Sequence, residues 1–206
     1  MPCNNLINDT DIKGIYNSCQ CVDNVQIEST CSNENKKISK INIYKNAASI
    51  NQVPIERNYC KNIPLRSTNG EGKVAIHKLF VLKDEYRGKK FNTKTISTNF
   101  HEQEMEVYKC NEFIEIQLNA AWSGITHWPK LGFEFYQLDK YDHILYTLWS
   151  SFFTKTFPID QDEKEKILFK HTSYKSIPQK YKKGFGAWLL SNKKSTAFPM
   201  YKTIGN

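Results

Sequence analysis

No apolar run in this chain approaches the roughly 20 residues that a membrane-crossing helix needs. The first residues, MPCNNLINDTDIKG, lack the charged-then-apolar pattern of a secretory signal, so the expected compartment is the cytoplasm. Repeats, linkers and low-complexity stretches are missing as well, and one α/β domain over 1–206 is the simplest count. There is no Gly-x-Ser-x-Gly elbow. Ser123 precedes Gly124 and His127 follows, but no supporting acid completes a hydrolase triad. The six cysteines (Cys3, Cys19, Cys21, Cys31, Cys60, Cys110) lack metal-site spacing: Cys19-x-Cys21 is tighter than the usual knuckle and no second pair follows. Cys60 and Cys110 have no neighbouring histidine that would make a thiolate pair. All six are expected to be reduced, and no metal is expected. Acidic side chains are in deficit, 21 against 29 basic ones, and the formal charge of +8 favours anionic partners.

What is present is the composition of a folded protein, with 39% hydrophobic and 13% aromatic residues. CVDNVQIES (21–29) and KISKINIYK (37–45) alternate in part and predict an antiparallel strand pair around the turn-rich CSNEN. Residues 46–72, with Pro54, Pro64 and a Gly-x-Gly, read as irregular chain ending in a hairpin. KVAIHKLFVL (73–82) reads as a strand, and a helix over 93–108 opens at Asn92 or Thr93. Its apolar stripe is Ile96, Phe100, Gln103 and Val107, with His101, Glu102 and Glu104 turned away. FIEIQLN (113–119) alternates as a strand, with Ile114, Ile116 and Leu118 on one face. A helix over 141–153 follows. It opens a basic extension, about 141–206, in which lysines alternate with Tyr174, Tyr181, Phe185 and Trp188. A solvated lysine face over an aromatic core is the expected reading there, and nucleic-acid binding by phosphate contact and stacking is the alternative.

The chemistry concentrates between Lys73 and Phe133. A loop that leaves a strand and feeds a helix offers unpaired N–H groups and a positive dipole end. Arg87, Lys89 and Lys90 add positive charge at that place, which makes KDEYRGKKFN (83–92) a candidate anion site.

The segment LFVLKDEYRGKKFNTKTI resembles the cofactor loop of the GCN5-related N-acetyltransferases, which carry Arg/Gln-x-x-Gly-x-Gly/Ala after a central strand. LNAAWSGITHWPKLGFEF resembles their fifth strand and fourth helix and ends in the family's Lys-x-Gly-Phe at Lys130, Gly132 and Phe133. The resemblance is clear over 60 or so residues. Lys90 and Asn92 replace the loop's two small residues, and Trp128 replaces the tyrosine that usually serves as general acid. The resemblance implies a mixed, twisted central sheet flanked by helices, with a core over 73–136. It also implies direct transfer of an acetyl group from acetyl-CoA to an amine in a ternary complex. Implied cofactor-binding residues are Phe80, Val81, Leu82, Arg87, Gly88, Lys89, Lys90, Phe91, Asn92 and Asn119. His77 would stand where many relatives carry a catalytic base, and the general acid would be Tyr136, Tyr108 or His127. The alternatives are a binding module that keeps the fold without catalysis, and a transferase acting on charged tRNA or another nucleic-acid-linked amine. The acceptor amine itself carries no signature in the sequence.

Overall fold

The structure, a computed structural model, describes residues 6–19, 21–78, 80–91, 93–121, 124–192, 194 and 196–205. In chain order the elements are α1 (Asp9–Asn17), β1 (Asn24–Cys31), β2 (Asn35–Lys45), β3 (Ala48–Ser49), β4 (Ile55–Pro64) and β5 (Glu71–His77). A 3-10 turn (Asp84–Tyr86), β6 (Lys90–Phe91), β7 (Lys94–Thr95), α2 (Ile96–Cys110) and β8 (Glu115–Ala121) follow. Then come α3 (Gly124–His127), a 3-10 turn (Trp128–Leu131), β9 (Glu134–Phe135), α4 (Leu138–Thr156), α5 (Gln161–Lys170), a 3-10 turn (Gln179–Lys182), α6 (Phe185–Ser191) and β10 (Ala197–Thr203). The strands make an open, mixed eight-stranded sheet, and β6 and β7 form a separate ribbon. The α/β class expected from the sequence is therefore the class the chain adopts.

By its contacts the chain divides into two compact units, Met1–Leu118 with Tyr201–Asn206, and Asn119–Met200. In the first, the sheet order is β1-β2-β4-β5-β8, with β3 paired to β2. β1, β2, β4 and β5 are antiparallel neighbours, whereas β5 and β8 run parallel from Val74 opposite Glu115 to His77 opposite Leu118. A parallel neighbour needs a crossover, and α2 supplies it. The core is aliphatic where the sheet meets α1 and α2: Ile12, Ile15, Ile38, Ile41, Ile43, Ile55, Val74, Ile96 and Ile116 are all buried. Each such side chain contributes roughly 1.5–3 kcal/mol by leaving water. In the second unit, α4 buries Leu145, Trp149, Phe152 and Phe153. Trp149 stacks on Phe153 at 4.7 Å, and Phe152 meets Phe185 of α6 at 5.5 Å. Asn8 and Asp160 cap α1 and α5 by accepting from the N–H groups of Asp11 and Glu163.

Several sequence expectations change. The expected pair of strands forms as β1 and β2, but 46–72 is not irregular, because β4 runs ten residues through it. Its inner face reads Ile55, Arg57, Tyr59, and the arginine breaks an otherwise apolar alternation. The strand expected over 73–82 stops at His77. The helix expected from Asn92 or Thr93 opens at Ile96, with Thr95 as its cap, because β6 and β7 occupy the residues before it. Its buried face is Ile96, Phe100, His101, Glu104 and Tyr108, so His101 and Glu104 point inward rather than away. β8 is buried on both faces, including Glu115, whose carboxylate accepts from the N–H groups of Arg66 and Ser67 at 2.9 Å each. Cys31 is disulfide-bonded, against the expectation that every cysteine is reduced, while Cys19, Cys21, Cys60 and Cys110 are free thiols. Cys3, Lys193 and Ser123 lie outside the described residues.

Candidate functional site

Arg57 of β4 lies directly opposite His77 of β5 in the antiparallel register. α2 crosses the same region and presents Phe100, Glu104 and Tyr108 at four-residue intervals, one turn above another. The result is a polar network in the core of the first unit. Glu104 Oε1 accepts from Arg57 Nε at 3.2 Å, from Arg57 Nη2 at 3.1 Å and from the Tyr16 hydroxyl at 3.1 Å. His77 Nε2 sits 3.1 Å from the Tyr108 hydroxyl and 3.7 Å from Glu104 Oε1. The Tyr108 hydroxyl in turn meets that of Tyr59 at 3.2 Å. On the far side of Glu104, Lys202 Nζ and His101 Nε2 lie within hydrogen-bond distance, at 3.0 Å. Arg57, His77 and Glu104 are 2%, 3% and 3% exposed. Among the described residues His77 Nδ1 has no hydrogen-bond partner.

Burial sets the protonation of this network. It pushes the His77 imidazole down to about 3, with Arg57 adding to the fall, so His77 is neutral at physiological pH. Burial alone would raise the Glu104 carboxyl. His77 and Arg57 beside it outweigh burial and hold the group well below the usual carboxylate range. Burial also drives the Tyr16 and Tyr108 phenols well up, so both remain hydrogen-bond donors.

The loop after β5 begins directly beside this network, with the Phe80 ring 6.2 Å from Phe100. Beyond His77 the chain leaves β8 and pairs with residues 50–52 instead. Gln52 N–H donates to Val81 O at 2.8 Å, Lys83 N–H donates to Ile50 O at 3.0 Å, and Asn51 bridges to Leu82. Among the described residues the N–H groups of Val81 and Leu82 make no hydrogen bond. Arg87 latches the loop, donating from Nε to Leu82 O at 2.8 Å and from Nη2 to Gln52 Oε1 at 3.0 Å. Gly88 takes φ 69°, where L side chains are strained, although a Cβ there would meet nothing. An open cleft of about 340 Å³ lies against the loop, lined by Lys45, Asn46, Glu85, Tyr86, Lys89 and Lys90. A larger cavity of about 600 Å³ includes Lys61, Lys73, Cys110 and Glu112 in its lining. It sits where β5 begins, the opposite end from the loop. In α/β sheets ligands bind outside the carboxyl ends of the parallel strands, which favours the smaller cleft.

The sequence candidates distribute as follows. Phe80, Val81, Leu82, Arg87, Gly88 and Lys89 share one loop, and the backbones of Lys90 and Phe91 form β6. Asn92 is outside the described residues. His77 lies inside the buried network, not at an exposed position. Asn119 and Tyr136 belong to the second unit. Asn119 is exposed there, and Tyr136 donates its N–H to Pro199 O at 2.9 Å and accepts from Gln137 Nε2 at 3.2 Å. Trp128 packs at 5.1 Å from Phe133, and a Cβ on Gly124 would approach its ring to 3.0 Å. Sequence reasoning passed over Tyr16, Lys45, Arg57, Tyr59, His101, Glu104 and Lys202. The available signal was Glu104 midway between Phe100 and Tyr108 at helical spacing, a carboxylate in an aromatic stripe. Compared with known proteins, the chain matches no family model and no curated protein is similar to it in sequence.

Proposed function

We propose that the protein is an N-acyltransferase of the GCN5-related fold, moving an acetyl group from acetyl-CoA to an amine by direct transfer. The observation that carries this reading is the break at the end of β5. A parallel pair, β5 and β8, is joined through a basic loop and α2, and the chain leaves that pair with the N–H groups of Val81 and Leu82 unbonded among the described residues. Acetyl-CoA, when bound, supplies the activated acyl group. The Leu82 N–H, on the side of the chain turned away from 50–52, suits a carbonyl oxygen on which negative charge builds during transfer. The lining of the cleft suits the coenzyme's phosphates, because Lys45, Lys89 and Lys90 are among its side chains. Most of the acceleration would come from holding donor and acceptor together. His77 is assigned a positioning role at the end of β5, since a base with a pKa near 3 is poorly matched to neutral solution.

A second reading is a binding module that keeps this fold without catalysis. It is favoured by the engagement of Arg87 with Leu82 O and Gln52, and by the first turn of α2 being capped by Thr95, whose Oγ1 accepts from Thr98 N–H at 3.2 Å. Calorimetric titration with acetyl-CoA separates the two, with 3′-dephospho-coenzyme A as control. Micromolar binding is the expected result and warrants screening of amine acceptors. Absence of binding at millimolar ligand removes the acyltransferase reading and leaves the module.

A further inference from the structure

We infer that the cavity of about 600 Å³ where β5 begins is a second binding site, which takes a small zwitterion with its carboxylate on the sheet wall and its ammonium on the helix wall. The site lies at the end of β5 away from the basic loop and is independent of the acyltransferase reading. Lys61 and Asn62 of β4 and Lys73 of β5 form the sheet wall. Cys110 at the end of α2, with Asn111 and Glu112 just beyond it, forms the other.

A β-bulge gathers the positive charge. Cys60 pairs with Val74 and Ile63 with Gly72, so Lys61 and Asn62 both stand opposite the single Lys73. Asn62 takes φ 53°, a left-handed conformation that asparagine tolerates. Like charges facing each other across antiparallel strands destabilise the pair. Burial first, and then the Lys61 ammonium, pushes Lys73 below the ordinary lysine value, with Glu112 opposing. Lys73 Nζ donates to Asn111 O at 2.5 Å and lies 4.7 Å from the centre of the Phe113 ring, so it is fixed in place with further protons to give. Among the described residues the Lys61 ammonium makes no hydrogen bond or ion pair.

The helix wall has the opposite sign. α2 runs 15 residues to Cys110, and its last turn carries the negative end of the dipole. Glu112 adds a full charge there, at φ 58°, where a chain leaving a helix usually has glycine and a glutamate is strained. The Asp11 carboxylate, which accepts from Asn111 Nδ2 at 3.3 Å, extends this side. Among the described residues the Glu112 carboxylate makes no ion pair, with these lysines or any other group. Charges of both signs therefore line one cavity without pairing, and that selects the ligand. A simple anion would meet Glu112 and the end of α2, and a simple cation would meet Lys61 and Lys73. A molecule with both ends satisfies both walls, which is the chemistry of a free amino acid or short peptide. The volume lies well inside the range of about 300–1,000 Å³ for small-molecule sites and favours a dipeptide over one small amino acid.

The test is protection of Cys110 from iodoacetamide, a neutral reagent, at matched ionic strength and without coenzyme. Cys110 is an exposed free thiol in the lining, and the mass of its peptide reports its reaction alone. The probes are L-alanine, L-alanyl-L-alanine, the N-acetylated dipeptide and the dipeptide amide. Wild type and Lys155→Met should be protected by the dipeptide at an affinity about tenfold above that for either blocked form, the usual worth of a hydrogen bond to a charged group. Lys155 is an exposed lysine of α4 and controls for net charge. In Lys61→Met the preference over the amide should fall to about twofold, and in Glu112→Gln the preference over the N-acetyl form should do the same. Protection by L-alanine as strong as that by the dipeptide upholds the site for a single amino acid. No protection of wild type by either zwitterion, equal protection by the blocked forms, or undiminished preference in both variants overturns the site. With no coenzyme present, failure of the acyltransferase reading leaves these outcomes unchanged.

Discussion

Arg57 and Glu104 are both almost completely buried, and the guanidinium gives two of its donors to one carboxylate oxygen. Removing either partner leaves the other charged in the core. Glu104→Gln is therefore expected to lower stability to urea by about 3–5 kcal/mol, the usual cost of breaking a buried pair. Arg57→Met with Glu104→Leu should recover much of that loss, because no uncompensated charge remains. A cost below about 1 kcal/mol for Glu104→Gln would mean that water reaches the pair. His77 gives a pH signature with a definite sign. Its pKa rises from about 3 in the fold to the ordinary value of 6.5 on unfolding, so below 6.5 the unfolded chain binds a proton that the folded one does not. The contribution of neutral His77 is complete above pH 6.5 and declines as pH falls toward 3, at about 1.4 kcal/mol per unit. Relative to His77→Gln, the wild type should lose about 2 kcal/mol between pH 6.5 and pH 5. Glu104, held low by His77 and Arg57, adds an acid-side loss only below the ordinary carboxylate value of 4.5, outside the window of this comparison. Parallel pH profiles for the two proteins would show that His77 takes up its proton in the folded state.

Among the elements, legibility followed the chemistry of the inward face. β2 was readable because Ile38, Ile41 and Ile43 are aliphatic and buried. β4 was not, since Arg57 occupies an inward position and Pro54 and Pro64 mark its ends like a loop. α2 was found but rotated. A stripe of Ile96, Phe100, Gln103 and Val107 satisfies helical periodicity, yet the buried stripe runs through His101, Glu104 and Tyr108. Periodicity assumes that charge faces water, and a buried ion pair reverses that rule at the residues that matter most. The end of β5 was overrun for the opposite reason. Leu79 to Leu82 continue an apolar run in the sequence, but past His77 the chain pairs with 50–52, and nothing local announces that exchange. The loop itself was legible in its charge and its glycine, and the structure adds that Gly88 is left-handed. Its cleft was not, because the second wall comes from Lys45 and Asn46 through that same unannounced ladder.

For the molecule as a whole, the charge of +8 poses the question of whether its basic tail meets a polyanion by stacking or by charge alone. The aromatics interleaved with the tail lysines are Tyr174, Tyr181, Phe185 and Trp188. Tyr174 and Phe185 are buried and the other two are half-buried in the aromatic core of the second unit. Lys182 lies 4.2 Å from the centre of the Tyr174 ring, and Lys180 lies 4.7 Å from that of Tyr181, so these rings already carry cations of their own. Phe169 is the contrast, 90% exposed at the end of α5, but one ring makes no platform for successive bases. The arrangement is a lysine surface over a packed core, and polyanion binding should be electrostatic without base preference. Anisotropy titrations with single-stranded RNA, duplex DNA and heparin should give similar affinities at low salt. Neutralising about three phosphates of a duplex costs roughly 40-fold in affinity between 50 and 200 mM salt. Phe169→Ala should change RNA affinity by no more than about twofold, since a stacked base lost to alanine would cost about 1–3 kcal/mol. RNA binding that survives 200 mM salt and falls with Phe169→Ala would reverse this view. It would favour a nucleic-acid-linked amine, such as charged tRNA, as the acceptor over a free small molecule.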